Sequence, residues 1–427
     1  MSQTTTDKPS VREGWTLAVW CIVAAFGAYF CMYAFRKPFT AAAFKGTTVA
    51  GLEFKTVLVI VQVFGYMLSK FIGIKVVSEM PPARRVAMLL GLIACAEIAL
   101  VLFGLTPPPY NALWLFFNGI PLGMVFGLVT GFLEGRRHTE ALMAGLCASF
   151  IVADGVVKSV GAELLTRGVG EYWMPAAVGA LFVPWLLVFA WMLSQIPAPA
   201  TADVVARNER TPMTGTERGA MFRRYALGLV LLVVAYTLVT VLRSLRADFA
   251  PEIWRGLGTQ APSPSVYGWS EFIVGAVVMV LFGATSLIAD NRRAFFTAIA
   301  LALLGSMLMV VALGALPLGL LSPFGFMVIL GFGLYLPYIA VHTTIFERLL
   351  AMTRDRGNIG YLLYLADSYG YLGYVAVLLS RNIVQPGESF LPFFLGMSWV
   401  IAVVCAVLLV PCRMYFAAHP AMRRAET

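Results

Sequence analysis

The chain has 427 residues, of which 60% are hydrophobic and 12% are charged, and its formal net charge is +9. Soluble globular proteins carry about 25% charged residues, so this composition excludes an ordinary soluble domain and indicates a polytopic membrane protein. The six cysteines form no CxxC pair and the three histidines are scattered, so we expect no metal, no cofactor and no disulfide framework. We attribute the positive charge to membrane topology and expect no nucleic-acid partner.

Twelve apolar runs are long enough to cross a lipid bilayer, which takes about 20 residues in a helix. They lie near residues 15–44, 56–77, 86–105, 111–133, 141–166, 173–194, 225–249, 266–289, 294–315, 322–348, 357–380 and 390–411. Alternate connections carry about 20 lysines and arginines on one side of the membrane and about 5 on the other. We therefore predict that both termini are cytoplasmic and that the protein lies in the cell (inner) membrane.

The longest polar connection divides these runs into six and six. We predict an all-α membrane protein of twelve transmembrane helices in two pseudo-symmetric six-helix bundles. Glutamates and aspartates recur at matching places in each half, Glu134 with Glu347 and Asp154 with Asp367. We expect a monomer. The predicted units are a tail at 1–14, bundles at 15–196 and 225–412, a linker at 197–224 and a second tail at 413–427.

Five cations interrupt the apolar runs: Arg36, Lys70, Lys158, Arg243 and Arg246. A charge at membrane depth costs at least about 2.5–3.5 kcal/mol on insertion scales, and it usually faces a water-filled cavity with a partner or a ligand. Cations gathered in such a cavity indicate that an anion passes through it. The sequence therefore predicts a small anionic substrate.

The arginines of spans 1 and 7 occupy equivalent places in the two halves. Arg36 shares a helix face with Tyr33, and Arg243 shares one with Arg246. Two guanidinium forks that converge at the interface of the halves suit a phosphate or a carboxylate. Two alternatives stay open: Arg36 as an interfacial anchor, and pairing of a span-7 arginine with a nearby carboxylate, Asp248 or Glu252.

Further polar groups lie within other spans. In span 2, Lys70 follows Tyr66 by one helical turn, and in span 5 Asp154 and Lys158 are also one turn apart. The latter two form either part of the binding site or an internal ion pair that closes the cavity. Asp154, Lys158, Asp367, Glu271 and His342 are candidates for a proton or charge relay.

Two segments resemble a known family. Residues 33–37 read Tyr-Ala-Phe-Arg-Lys, and residues 65–72 read Gly-Tyr-Met-Leu-Ser-Lys-Phe-Ile. With twelve spans in two halves, the chain resembles the major facilitator superfamily, and more narrowly its organophosphate:phosphate antiporters, the glycerol-3-phosphate and hexose-phosphate transporters.

This resemblance implies that Arg36 and one of Arg243 or Arg246 hold a substrate phosphate and that Lys70 assists them. The glycerol-phosphate members have a histidine in span 5, where this chain has Asp154 and Lys158.

No GxSxG, HExxH or P-loop pattern is present, so we do not expect an enzyme. We predict a secondary transporter that moves a small organic anion, with organophosphates and phosphate among the candidates, by alternating access. The alternatives are a proton-coupled facilitator for another solute, with Asp154 or Asp367 as the proton site, and a transporter-like membrane sensor.

Overall fold

The computed structural model describes residues 11–78, 80–133, 139–197, 215–258, 263–353, 359–384 and 389–420, and these are mainly helical. Six helices form the first half: α1 Val11–Ala34, α2 Phe54–Ser78, α3 Arg85–Leu105, α4 Ala112–Leu133, α5 Thr139–Thr166 and α6 Met174–Ser194. Within the described ranges the only β structure is a hairpin of Thr48–Val49 with Leu52–Glu53.

The second half begins with a short helix, α7 Gly215–Arg224, which lies at the end of the predicted linker. The other helices of this half are α8 Ala226–Asp248, α9 Ala250–Gly256, α10 Ser265–Thr285, α11 Asn291–Ala315, α12 Pro323–Ala340, α13 Phe346–Thr353, α14 Ile359–Val384 and α15 Phe390–Ala418. A π-helical turn, Val341–Ile345, joins α12 to α13.

Eleven segments of the described chain are long and apolar enough to span a membrane, so the chain is an integral membrane protein. The one predicted span that is not among those eleven segments is the eleventh, 357–380, which coincides with the 26-residue helix α14. The first predicted span, 15–44, is wrong at its end, because α1 stops at Ala34 and a 3-10 helix begins at Pro38. Proline has no amide hydrogen and fixes φ, so it terminates the regular helix.

The two halves meet along two helix pairs, α5 with α10 and α2 with α14. In span numbers these are 5 with 8 and 2 with 11. When each span is replaced by its equivalent in the other half, six positions away, the first pair becomes the second. The contacts between the halves therefore have the pattern of a two-fold axis. In the most apolar part of the fifth span 89% of the residues are buried, whereas in that of the sixth span 33% are. Helix α5 therefore lies at the centre, and α6 lies at the periphery, where it faces lipid.

Glycines allow α5 and α10 to approach closely. A Cβ atom on Gly155 would lie 2.3 Å from the carbonyl oxygen of Tyr267, and one on Gly275 would lie 2.6 Å from Val152. Small residues at such a contact bring two helix backbones together, which is the usual way in which membrane helices pack. Glu134, the predicted counterpart of Glu347, lies outside the described residues.

Candidate functional site

The break after α1 brings Arg36 into the protein interior. Where the helix ends, the carbonyl groups of Phe35 and Arg36 are left without helical partners, and at membrane depth water does not replace them. Asn118 donates its amide to the carbonyl of Phe35 at 2.9 Å, and Gln62 donates to that of Arg36 at 2.9 Å. Gln62 also donates to Asn118 at 2.8 Å. Two polar side chains from α2 and α4 thus hold the break in place.

The Arg36 side chain is buried, and the described part of the chain gives it no counter-ion. Its guanidinium carbon lies 3.8 Å from the centre of the Tyr66 ring and 5.8 Å from that of Tyr33. Its Nε has no hydrogen-bond partner, and among the described residues no carboxylate lies within ion-pair distance of it. The aromatic faces stabilise the cation by roughly 0.5–2 kcal/mol each, but they leave its charge unneutralised.

Arg243 on α8 has the same environment. Its guanidinium carbon lies 4.4 Å from the centre of the Tyr338 ring, and its Nε also lacks a partner. Within the described chain it too has no carboxylate partner. Arg36 and Arg243, one from each half, are therefore both cations that rest on a tyrosine ring.

Arg246 lies only three residues further along α8, and its Nε also lacks a partner, but it has a carboxylate partner. Its Nη1 donates to Glu271 on α10 at 2.5 Å, and its Nη2 donates to the carbonyl of Met327 at 2.9 Å. The alternative left open above, that a span-7 arginine pairs with Asp248 or Glu252, does not hold, because the carboxylate partner of Arg246 is Glu271. Asp248 instead pairs with Lys37, and Glu252 with Lys55 and Arg255.

A small internal cavity lies between the halves. Its lining residues come from the end of span 1 and from spans 5, 7 and 10: Tyr33, Arg36, Lys37, Phe150, Asp154, Arg243, Ser244, Ala247 and Tyr335. It holds about 10 Å³, which is room for about one water molecule. The sequence prediction that Arg36 and one span-7 arginine face a shared cavity thus corresponds to Arg36 and Arg243 in the structure.

Two buried ion pairs flank these arginines. Lys37 pairs with Asp248, which also accepts a hydrogen bond from Tyr374 at 2.8 Å, and Lys158 pairs with Asp154 on the same helix. Each pair is neutral as a unit. The charge that remains at the cavity is that of the two guanidinium groups.

Lys70, expected to line the cavity, lies elsewhere. Its Nζ is 3.0 Å from Asp367 on α14, in the other half. The second oxygen of Asp367 accepts a hydrogen bond of 2.5 Å from Tyr236 and lies 3.8 Å from His342. His342 stands in the π-helical turn, a feature that is frequent at functional sites. We call Lys70, Asp367, Tyr236 and His342 the Asp367 cluster.

The order of contacts along α8 sets these groups out in layers. Tyr236 contacts the Asp367 cluster, Arg243 lines the cavity, and Asp248 at the end of the helix holds Lys37. At 1.5 Å per residue, Tyr236 and Asp248 are about 18 Å apart. Ion pairs between the halves therefore lie on both sides of the cavity. On the Asp248 side, Lys55 adds a second such pair with Glu252, at 2.8 Å.

Sequence reasoning missed several polar groups within the spans. Gln62 and Asn118 hold the break after α1, and Lys37 is buried beside Arg36. Glu97 on α3 has a buried carboxylate oxygen without a partner, beside Gly179 of α6. The signal that singled out the cations, a polar side chain inside an apolar run, would have found all four.

A comparison with solved structures identifies the fold. A crystal structure of a D-xylose–proton symporter superposes with a TM-score of 0.61, covering 93% of this chain and 97% of that one at 14% identity. This likeness shows the fold alone, an all-α membrane protein of the major facilitator type. The chain belongs to the family of unknown function DUF5690, whose model matches residues 38–419. No curated protein matches it.

Proposed function

We propose that the protein is a secondary transporter that binds a small organic anion between Arg36 and Arg243 and moves it across the membrane by alternating access. One observation carries this proposal: two arginines, the buried Arg36 and the partly buried Arg243, line the same cavity from opposite halves and lack a carboxylate partner in the described chain. Unpaired charges at membrane depth are costly, so their presence favours a ligand.

The charge balance favours an anion with two negative charges. The ion pairs of Lys37 with Asp248 and of Lys158 with Asp154 are each neutral, so the two arginines are not offset locally. A phosphate monoester carries about −1.5 to −2 charges at neutral pH, and each guanidinium fork can hold it in a bidentate manner. Organophosphates, phosphate and dicarboxylates are therefore the substrate classes that we propose, and the first agrees with the sequence resemblance.

Alternating access follows from the size of the cavity and the position of the ion pairs. A space of about 10 Å³ does not admit an organic substrate, so one side of the protein has to open. Opening on one side separates Lys70 from Asp367, and opening on the other separates Lys37 from Asp248 and Lys55 from Glu252. The charges of the substrate stabilise the two arginines while the ion pairs on either side are separated.

A ligand-stabilisation screen on the purified protein tests the proposal. The panel contains phosphate, glycerol phosphate, hexose phosphates and dicarboxylates. We expect at least one dianion to raise the unfolding temperature and to exchange across proteoliposomes. Arg36→Lys and Arg243→Lys should weaken this binding, because lysine keeps the charge but loses the planar fork.

Arg246→Lys is the matched control. It is the same substitution three residues away, where lysine can still pair with Glu271. Unchanged binding in both Arg36→Lys and Arg243→Lys would contradict the proposal. A protein that binds an anion but exchanges none would instead be a transporter-like sensor.

A second candidate function is a proton-coupled facilitator, and the Asp367 cluster favours it. In that cluster a buried carboxylate links the halves through Lys70 and also contacts Tyr236 and His342. Protonation of Asp367 would remove its attraction to Lys70 and loosen that side. Accumulation driven by an imposed pH gradient, without an exchangeable anion inside the vesicle, separates this function from anion exchange.

A further inference from the structure

The cavity presents one acceptor beside its two cations. Asp154 is 4% exposed and lines the cavity together with Arg36 and Arg243. Lys158 binds one of its carboxylate oxygens, Oδ2, whereas the other, Oδ1, is buried and has no hydrogen-bond partner. The nitrogens Nε of both arginines are also buried without partners. Among the described residues that line the cavity, the buried side-chain atoms without a partner are therefore two donors and one acceptor.

An anion without a hydrogen-bond donor cannot satisfy both the two arginine donors and the Asp154 acceptor. Its oxygens accept hydrogen bonds from the arginines but offer nothing to Oδ1 of Asp154, and the two negative groups repel each other. A buried acceptor without a donor costs about 1–3 kcal/mol. Lys158 lowers the repulsion by making the pair neutral, but it binds the other oxygen. With the lining side chains placed as they are, the acceptor gains a partner only if a donor enters the cavity.

We propose that the substrate is an anion that also carries a hydrogen-bond donor, an ammonium or a hydroxyl group, and that Asp154 selects it by accepting from that donor. This inference rests on the proposed function, because it assigns the anionic end of the substrate to Arg36 and Arg243. It adds the second end of the substrate and the residue that recognises it.

Other buried charges near the cavity do not compete for Asp154. Lys37 is held by Asp248, and Arg246 is held by Glu271 and by the carbonyl of Met327. Tyr33, Ser244 and Tyr335, which carry hydroxyl groups, also line the cavity. A turn of one of them toward Asp154 would satisfy the acceptor without any substrate donor, and the experiment has to separate this outcome from the proposed one.

Two series of probes that differ only in the donor make the test. Ethylphosphonate, 2-hydroxyethylphosphonate and 2-aminoethylphosphonate share one anionic group and one chain length. Propanoate, 3-hydroxypropanoate and 3-aminopropanoate repeat the comparison with a carboxylate. Affinity for the purified full-length protein is measured by ligand-induced thermal stabilisation and by equilibrium binding.

We expect the donor-bearing probes of at least one series to bind the unmodified protein about tenfold more tightly than the donor-free probe, which is the value of one hydrogen bond to a charged group. The amino probe should gain more than the hydroxy probe, because its bond is charge-assisted on both sides. In Asp154→Asn the amino probe should lose this advantage, whereas ethylphosphonate should bind as well as before or better.

Glu97→Gln is the matched control. Glu97 also has a buried carboxylate oxygen without a partner, but it does not line this cavity, so the affinity ratios should not change. Equal affinities of donor-free and donor-bearing probes in the unmodified protein would overturn the inference, and so would ratios that Asp154→Asn leaves intact. Arg36→Lys should weaken all probes together. If no probe of either series binds the unmodified protein, this inference fails, whereas the proposed function fails only if the panel of phosphate, sugar phosphates and dicarboxylates does not bind either.

Discussion

The cavity and the Asp367 cluster are both polar sites within the membrane, but they differ in how their cations are neutralised. In the cavity, Arg36 and Arg243 rest on tyrosine rings and have no carboxylate partner in the described chain. In the cluster, Lys70 forms an ion pair with Asp367 across the two halves. The difference separates two uses of a buried cation. A paired cation holds helices together, whereas an unpaired one is available to a ligand.

Arg246→Ala should have the largest effect, and it should act on stability. Removal of one partner of a buried ion pair costs about 3–5 kcal/mol, because Glu271 would remain buried and charged. Arg36→Ala, which strands no carboxylate, should destabilise the protein less. Thermal unfolding of both variants in the same detergent makes the measurement. If Arg36→Ala proves to be the less stable variant, the distinction between a paired, stabilising arginine and an unpaired one is wrong.

Arg36→Lys should have the next largest effect, and it should act on transport. Loss of one charge-assisted hydrogen bond to the anion costs about 1.5–3 kcal/mol, which is a reduction of about 10- to 100-fold in apparent affinity. The protein should reach the membrane in normal amounts. Exchange rates in proteoliposomes are measured at several anion concentrations. Wild-type rates at unchanged apparent affinity would make Arg36 an interfacial anchor, the alternative that the sequence leaves open.

Asp367→Asn should change coupling more than binding. The substitution removes the ion pair with Lys70 but keeps an acceptor for the hydroxyl of Tyr236. We expect anion affinity to change by no more than about threefold, since the cluster lies outside the cavity. Uptake driven by a pH gradient should fall while anion exchange continues. Equal losses of binding and of exchange would place Asp367 in the binding site itself.

Tyr66→Leu should have the smallest effect of the four. It removes the ring nearest the Arg36 guanidinium, 3.8 Å away, and a cation–π contact contributes roughly 0.5–2 kcal/mol. We expect anion affinity to fall by about two- to thirtyfold. Tyr338→Leu, the corresponding change beside Arg243 at 4.4 Å, should have a similar effect. If only one of the two variants binds more weakly, the two arginines are not equivalent.

The sequence predicts the all-α membrane fold well, because apolar runs about 20 residues long leave few alternatives. It also marks Arg36 and the span-7 arginines as cations inside such runs. It does not distinguish Arg243 from Arg246, because residues three apart share a helix face. The distinction comes from Glu271 on α10, which reaches Arg246 only in the folded protein.

The position of Lys70 shows the same limit. Its sequence context resembles that of a residue that assists phosphate binding, but a carboxylate 297 positions away engages it. The end of α1 depends likewise on Gln62 and Asn118, which satisfy the carbonyls that the break exposes. Pairings between distant segments decide these details, and no local pattern encodes them.

The close approach of α5 and α10 has a mechanical consequence. At Gly155 and Gly275 the two halves touch through backbone and short side chains, so little interlocking opposes a tilt of one half against the other. This contact can serve as the pivot about which the two halves tilt, so that the protein opens toward one membrane surface or the other. We expect the free energy needed to open either side to come mainly from separating the ion pairs between the halves on that side. If the protein transports as proposed, we then expect separation of the ion pairs to limit the rate of the cycle more than repacking between α5 and α10 does.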